Sequence, residues 1–406
     1  MSRFDDYIEK KTAITGVGQS DIGRRLYRDP LELTLDAVLA AIEDAGLTTS
    51  DIDGVSTFPG AMDTPPGFSG AGAYDVIEGL RLNVGWYDSG LETSGQIGSF
   101  IKACLAVGAG LANHVVCFRT VWEGSAQGDQ GRSAALPGAS SAGSGAMFRA
   151  SGFLQWNLPF TAPSASIWIA MFARAHMDRY GITEEQLAQI ALNARRNAAL
   201  NPKAIYTDPM TLDDYFASRI ITTPFRLFDC DVPCDGSTAV IVSRIDRAQD
   251  LRHPPLKVEA VGSALHDRPS WDQLNVLGEM CNRDAAKQMW SRTELTPADV
   301  QVAQLYDGFS WLTMSWLEAL GLCEVGGSGE FVDGGTRIAR DGALPLNTHG
   351  GQLSSGRLHG YGFIHEAAVQ MWGTAGERQV ARNLQVGVVS NGGGNTCGSV
   401  LLTKES

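Results

Sequence analysis

The sequence lacks any apolar stretch that reaches membrane-spanning length without a charge or a glycine interrupting it, which excludes a bilayer-crossing helix. Positive charge is scarce: 32 Lys and Arg stand against 45 Asp and Glu, for a formal net charge of -13. Backbone recognition of nucleic acid needs clustered Lys and Arg, and no such run occurs, so a nucleic-acid partner is excluded as well. The opening residues Met1 to Lys11 hold no apolar signal core, and the expectation is a cytoplasmic protein. Seven cysteines in 406 residues do not make a disulfide framework. Cys230 and Cys234 have no second Cys or His pair to complete a zinc set, which leaves reduced, buried thiols. What is present, 44% hydrophobic and 19% charged residues, is ordinary for a folded chain of two or three lobes.

The chain repeats itself. Residues 38–55 and 285–305 follow one pattern: a helix, a Leu-Thr step, an Asp in a short turn, then an apolar strand. A second echo joins Gly236–Ser243 to Gly398–Thr403, each a Gly-Ser step into a strand. Two echoes in the same order predict a duplicated α/β half, with the boundary near residues 246–256. Within the first half, residues 124–152 are rich in Gly, Ser and Ala and predict a loop. Ala165–Tyr180 and Thr183–Leu200 predict helices, the second opened by Thr183-Glu-Glu-Gln186. Together they predict an inserted lobe over the core, whose Phe153, Trp156, Phe160 and Trp168 either cradle a bulky ligand or form the lobe's own core.

Four segments carry chemistry. Apolar residues at 97, 100, 101, 104, 105 and 107 predict a buried helix starting near Thr93, with Glu92 before it. Glu92 either satisfies the positive helix end or acts as a base or positioning group. Gln304–Trp311 is a strand-to-helix junction that projects Tyr306, a phenol able to give or take a proton, or a packed aromatic. In Asn347–Gly360, Asn347 with Gly350, Gly351, Gly356 and Gly360 predicts close approach of backbone to a ligand. Arg357 stays charged at neutral pH; it holds an anionic group or pairs with a carboxylate such as Glu92 or Asp307. His349, His359 and Tyr361 are the titratable groups beside it. Val389–Thr396 places Ser390 before Gly392 and Gly393, whose N–H groups can steady an oxyanion.

These loops resemble those of the thiolase superfamily. The resemblance implies a duplicated thiolase-like α/β fold of two five-layer-forming halves, residues 1–250 and 251–406, with the inserted lobe at about 122–222. It also marks four exchanges. Glu92 stands where the family has its acyl-accepting Cys, Tyr306 where it has Asn, Arg357 where it has the catalytic His, and Ser390 where it has the second Cys. Acyl transfer through a thioester is therefore excluded. Within the superfamily the chain is most similar to lipid-transfer-protein-like homologues of the sterol carrier protein x type, some of which are steroid side-chain-cleaving aldolases. That likeness implies retro-aldol cleavage of a β-hydroxyacyl-CoA through an enolate. Tyr306 would move a proton, His349, His359, Tyr361 or Arg357 would be its partner, and the glycine loop the oxyanion donor. It further implies no cofactor beyond the CoA of the substrate, a homodimer, and a small partner with an OB-fold and a zinc ribbon that carries any zinc. The alternative is a non-catalytic binder of acyl-CoA or sterol.

Overall fold

A computed structural model describes residues 4, 6–60, 67–68, 70–90, 95–128, 154–162, 164–265, 280–393 and 396–404. Its strands are β1 Thr12–Gln19, β2 Gly54–Thr57, β3 Trp86–Ser89, β4 His114–Trp122, β5 Ile220–Thr222, β6 Phe225–Arg226, β7 Asp235–Arg244, β8 Leu256–Leu265, β9 Val302–Leu305, β10 Val386–Gly393 and β11 Thr396–Lys404. Nine of them form one sheet in the order β3-β2-β4-β7-β1-β8-β11-β10-β9, and β5 and β6 make a separate hairpin.

The predicted duplication is visible in that order. Moving outward from the centre, β1-β7-β4-β2 on one side matches β8-β11-β10-β9 on the other. The pairings agree in sense: antiparallel, antiparallel, then parallel in both sets. The two sets meet where Ala13 and Ile14 pair with Lys257 and Leu256. The echoed sequences occupy equivalent places, Gly236–Ser243 in β7 and Gly398–Thr403 in β11. The echoed turns share even their hydrogen bonds. Thr48 donates its N–H and hydroxyl to Asp51 Oδ2 at 2.8 and 2.7 Å, and Thr296 donates both to Asp299 Oδ2 at 2.8 Å.

Helices cover the sheet through closely matched contacts. Pro30–Asp44 lies so near β1 that a Cβ at Gly18 would come within 2.3 Å of the Ala37 carbonyl oxygen. Asn282–Trp290 lies on β8 in the same way, 2.0 Å separating such a Cβ on Gly262 from the Ala285 oxygen. Two further helices, Gly98–Gly108 and Tyr361–Trp372, are buried almost throughout and converge where Ser99 and Tyr361 share a 2.6 Å hydrogen bond. Phe100 and Phe363 anchor them, each contributing roughly 1.5–3 kcal/mol by burial.

The lobe helices fall as predicted, at Ala165–Tyr180 and Glu184–Ala198, the latter with its Thr183/Gln186 capping box formed. Residues 123–127, expected at the edge of a loop, form a short helix instead, and residues 129–153 lie outside the described set. Phe153 and Glu92 are likewise outside it. Of the lobe aromatics, Phe160 is 81% exposed, whereas Trp168 is buried and donates to the Ala162 carbonyl at 2.7 Å, so Trp168 is lobe core. Among the described residues no helix is long and apolar enough to cross a membrane, and no three His, Cys, Asp or Glu are grouped to hold a metal.

Candidate active site

Tyr306 leaves the C-terminal end of β9 and is 8% exposed, its ring edge-on to Phe363 at 6.4 Å. Burial raises the phenol's pKa; the charge of Arg357 and the amides of Gln96 and Gln352 act in the opposite sense. The phenol therefore keeps its proton at neutral pH, with polar groups placed to receive the charge if the proton leaves.

The two loops that carry Tyr306 and Arg357 are locked to each other. Asn347 accepts the Leu305 N–H at 2.7 Å and donates to the Leu305 carbonyl at 2.8 Å, gripping the residue just before Tyr306. In return Asp307 accepts the Gln352 N–H at 2.8 Å at the start of the five-residue π-turn Gly351–Ser355. Asp307 is wholly buried, and desolvation pushes its carboxyl up to about 7. The lobe completes the lock. Asn193 and Asn197 donate to the Leu346 carbonyl at 2.9 and 3.0 Å, and Asn201 donates to that of His349 at 2.9 Å. Asn193 and Asn197 lie one helical turn apart on one face of the helix Glu184–Ala198, and Asn201 lies just beyond its end.

This changes the assignment of several predicted residues. Asn347 gives its amide oxygen and an N–H to Leu305 and also hydrogen-bonds the Asp307 carboxyl, so its side chain is spent within the protein on holding the loop of Tyr306. The glycines approach protein rather than ligand. A Cβ on Gly350 would meet Ala198 at 2.6 Å, and one on Gly351, at φ +57°, would meet Asp307 Oδ2 at 1.8 Å. Gly392 and Gly393 continue β10 in its ladder with β11, and the Gly392 carbonyl accepts from Trp316 Nε1 at 2.7 Å. Ser390, also on β10 and paired with Leu305, is buried and its hydroxyl has no hydrogen-bond partner among the described residues.

Arg357 has different partners from those expected. Its Nε donates to Glu123 Oε2 at 2.8 Å, Nη2 donates to Glu123 Oε1, and Nη1 lies 3.6 Å from Asp231. Desolvation works against the charge, but Glu123 outweighs it and the guanidinium pKa is raised. Two carboxylates thus hold Arg357 beside Tyr306 as a fixed positive charge.

The remaining candidates separate. His359 sits near the first loop: its N–H donates to Gln352 Oε1 at 3.0 Å, its Nδ1 accepts from Arg119, and its φ is +44°. Tyr361 is turned into the core, where its phenol meets Ser99 and desolvation holds its pKa well above the ordinary value. His349 lies edge-on to Phe363 at 5.3 Å and lines a small cavity with Asn201, His365, Glu366 and Arg378. Tyr306 does not line that cavity.

His349 therefore makes a stability prediction. Desolvation pushes its pKa down to about 4, against about 6.5 in an unfolded chain. The unfolded state binds the proton first, so stability is full above about pH 6.5 and falls as pH drops toward 4. His349→Asn should remove part of this loss, on the order of 3 kcal/mol over the window. Urea midpoints measured from pH 7 to 4.5 check it; parallel profiles for variant and wild type would count against it.

Residue types alone pointed to neither Gln96 nor Gln352, nor to Asn391, Glu123 or Arg119. Gln96 belongs to a 3-10 turn, Gly95–Ile97, ahead of the helix that begins at Gly98 rather than near Thr93. Its N–H donates to Asn391 Oδ1 at 3.1 Å instead of entering a helical ladder. Gln96 Oε1, Gln352 Nε2 and Asn391 Nδ2 are buried and have no hydrogen-bond partner among the described residues. Buried polar atoms left without partners cost stability, which makes these three candidates for contact with a bound molecule.

Residues 263–403 match the family described as thiolase C-terminal domain-like. Over 373 residues the chain is 36% identical to the steroid side-chain-cleaving aldolase of Thermomonospora curvata, covering 89% of this chain and 90% of that one. It is 34% identical to the 17-hydroxy-3-oxo-4-pregnene-20-carboxyl-CoA lyase of Mycobacterium tuberculosis, covering 94% and 98%. Among solved structures, the Ltp2-ChsH2(DUF35) aldolase superposes with a TM-score of 0.85 at 32% identity, over 97% of this chain and 98% of that chain. Human mitochondrial 3-ketoacyl-CoA thiolase shares the fold, with a TM-score of 0.66 at 14% identity over 98% of this chain and 100% of that one.

Proposed function

The chain belongs to the thiolase superfamily, among its steroid side-chain-cleaving aldolases, and from that membership we propose how its own residues perform a retro-aldol cleavage. It is a carbon–carbon lyase acting on a β-hydroxyacyl-CoA. The name of the Mycobacterium tuberculosis relative describes such a molecule, with a C17 hydroxyl β to a thioester carbonyl carried on C20. The hydroxyl gives up its proton and its oxygen becomes a ketone at C17. The C17–C20 bond breaks, its electron pair enters the thioester enolate, and the enolate carbon takes a proton to give a short acyl-CoA. The proton lost at oxygen balances the one gained at carbon. No acyl group passes to the protein, so the absence of a thiol at Glu92 and Ser390 costs this reaction nothing.

One observation carries the assignment of roles: a protonated phenol, Tyr306, buried between two amides and beside a guanidinium fixed by Glu123 and Asp231. Tyr306 carries the proton from oxygen to carbon: its phenolate, which Arg357, Gln96 and Gln352 favour against burial, takes the hydroxyl proton, and the phenol so formed gives it to the enolate carbon. Asn391 Nδ2 and Ser390 Oγ are the unspent donors for the enolate oxygen, in place of the glycine N–H groups. Because the Ltp2-ChsH2(DUF35) aldolase contains a second chain by name, the same reading extends to assembly. This chain works in the cytoplasm as a homodimer joined to a small OB-fold partner whose zinc ribbon holds any metal, and the lyase site itself uses no cofactor.

The test is to incubate the purified chain, alone and with a candidate partner, with 17-hydroxy-3-oxo-4-pregnene-20-carboxyl-CoA. Mass spectrometry should find the 17-ketone and the short acyl-CoA in equal amounts. Tight binding with no product under any pairing would instead make the protein a carrier.

A further inference from the structure

The segment 203–206 is fastened to the π-turn that carries Gln352. The N–H groups of Ile205 and Tyr206 both donate to the Ser354 carbonyl, at 3.1 and 2.9 Å. Lys203 ties the same segment to the end of β1, its Nζ donating to the Gln19 and Ser20 carbonyls at 2.9 Å each. Two guanidinium groups meet the Tyr206 side chain. Arg24 Nη1 donates to the phenol oxygen at 2.6 Å, and the Arg195 guanidinium carbon lies 5.0 Å from the ring centroid.

The charges of this cluster are uncancelled. Arg195 is 7% exposed, and everything it touches is neutral: the Tyr206 and Phe228 rings, the Ser354 hydroxyl and the Asp208 carbonyl, each oxygen at 3.3 Å. The carboxylates of Asp208 and Asp214 act on it only at longer range. Among the described residues neither Arg24, Arg195 nor Lys203 has a carboxylate at ion-pair distance. Arg28, four positions after Arg24, is by contrast surrounded by Asp21, Glu32 and Asp36. A chain with a formal charge of -13 repels an anionic ligand overall, so such a ligand needs cations that no carboxylate has already neutralised.

We infer that exposed Arg24 and the Tyr206 hydroxyl bind a phosphate group of the acyl-CoA, with Arg195 as a positioning residue that holds the Tyr206 ring. Tyr206 accepts from Arg24, which leaves its own O–H to be donated. Arg24 spends one N–H there and keeps the rest of its planar fork for phosphate oxygens. The identity of the ligand rests on the acyl-CoA lyase reading. Through Ser354 the anionic end of CoA would be anchored to the same loop that carries Gln352 and Arg357 to its reacting end.

Isothermal titration of the whole purified chain with CoA, pantetheine and inorganic phosphate tests this without turnover. Wild type should bind CoA at least about tenfold more tightly than pantetheine, and added NaCl should narrow that gap. Arg24→Gln should weaken CoA about tenfold or more and pantetheine less than twofold or so. Tyr206→Phe keeps the ring against Arg195 and should weaken CoA about threefold to tenfold. CoA affinity unchanged in both variants, or equal losses for CoA and pantetheine, would overturn the inference. Inorganic phosphate binding as tightly as CoA would overturn it too, making this a site for the free anion. A wild type that binds CoA through Arg24 yet cleaves no β-hydroxyacyl-CoA would overturn the lyase reading alone.

Discussion

Tyr306→Phe lowers kcat for cleavage by about 10²–10⁴-fold and leaves the fold intact, the effect expected when a positioned proton donor is removed. The substitution deletes one oxygen. The ring keeps its edge contact with Phe363, and the Asn347 and Asp307 bonds that hold the two loops do not involve the phenol. KM should change little, because the lost interaction belongs to the transition state more than to binding. Single-turnover kinetics with thermal melts on the same preparation separate the two quantities. Wild-type kcat in Tyr306→Phe would remove Tyr306 from the chemistry altogether.

Glu123→Ala is the second large effect, and it acts on stability first. Glu123 is 1% exposed and makes two hydrogen bonds to Arg357, so its loss strands a guanidinium in the interior. Breaking a buried pair from one side costs about 3–5 kcal/mol. Asp231, 3.6 Å from Nη1, remains as a weaker partner, which places the expected loss near 3 kcal/mol, at the lower end of that range. Urea unfolding at pH 7 measures it. The double variant Glu123→Ala with Arg357→Met should recover part of the stability, since no unpaired charge is then left, yet should not recover activity. A single variant as stable as wild type would mean that Asp231 alone suffices.

The fold was largely legible in the sequence because its signals are local. Capped turns at Thr48 and Thr296, the Gly-Ser entries into β7 and β11, and the Thr183 capping box each lie within a few residues, and each is formed. Tyr306 was legible for the same reason, as the last step of a strand before a helix. The partners of Arg357 were not. Glu123 lies 234 positions away, and nothing in either neighbourhood marks the pairing. Asn347 and the glycines signalled a special backbone correctly, but sequence cannot tell whether a crowded backbone faces a ligand or, as here, Ala198 and Asp307. The helix start was misplaced for a related reason. Gln96 spends its N–H on Asn391, nearly 300 positions later, a bond that competes with helix propagation and leaves no trace in local periodicity.

The central meeting of β1 and β8 has a consequence for how the chain can be cut. Arg119 and Glu123 follow from β4, in the first set of strands, while Tyr306, Gln352 and Arg357 come from the second. Truncation at the linker between β7 and β11's neighbour β8 would give two fragments, each with a respectable sheet and half a set of charges. With the proposed roles divided in this way, neither fragment should cleave alone, and activity should return only on reassociation.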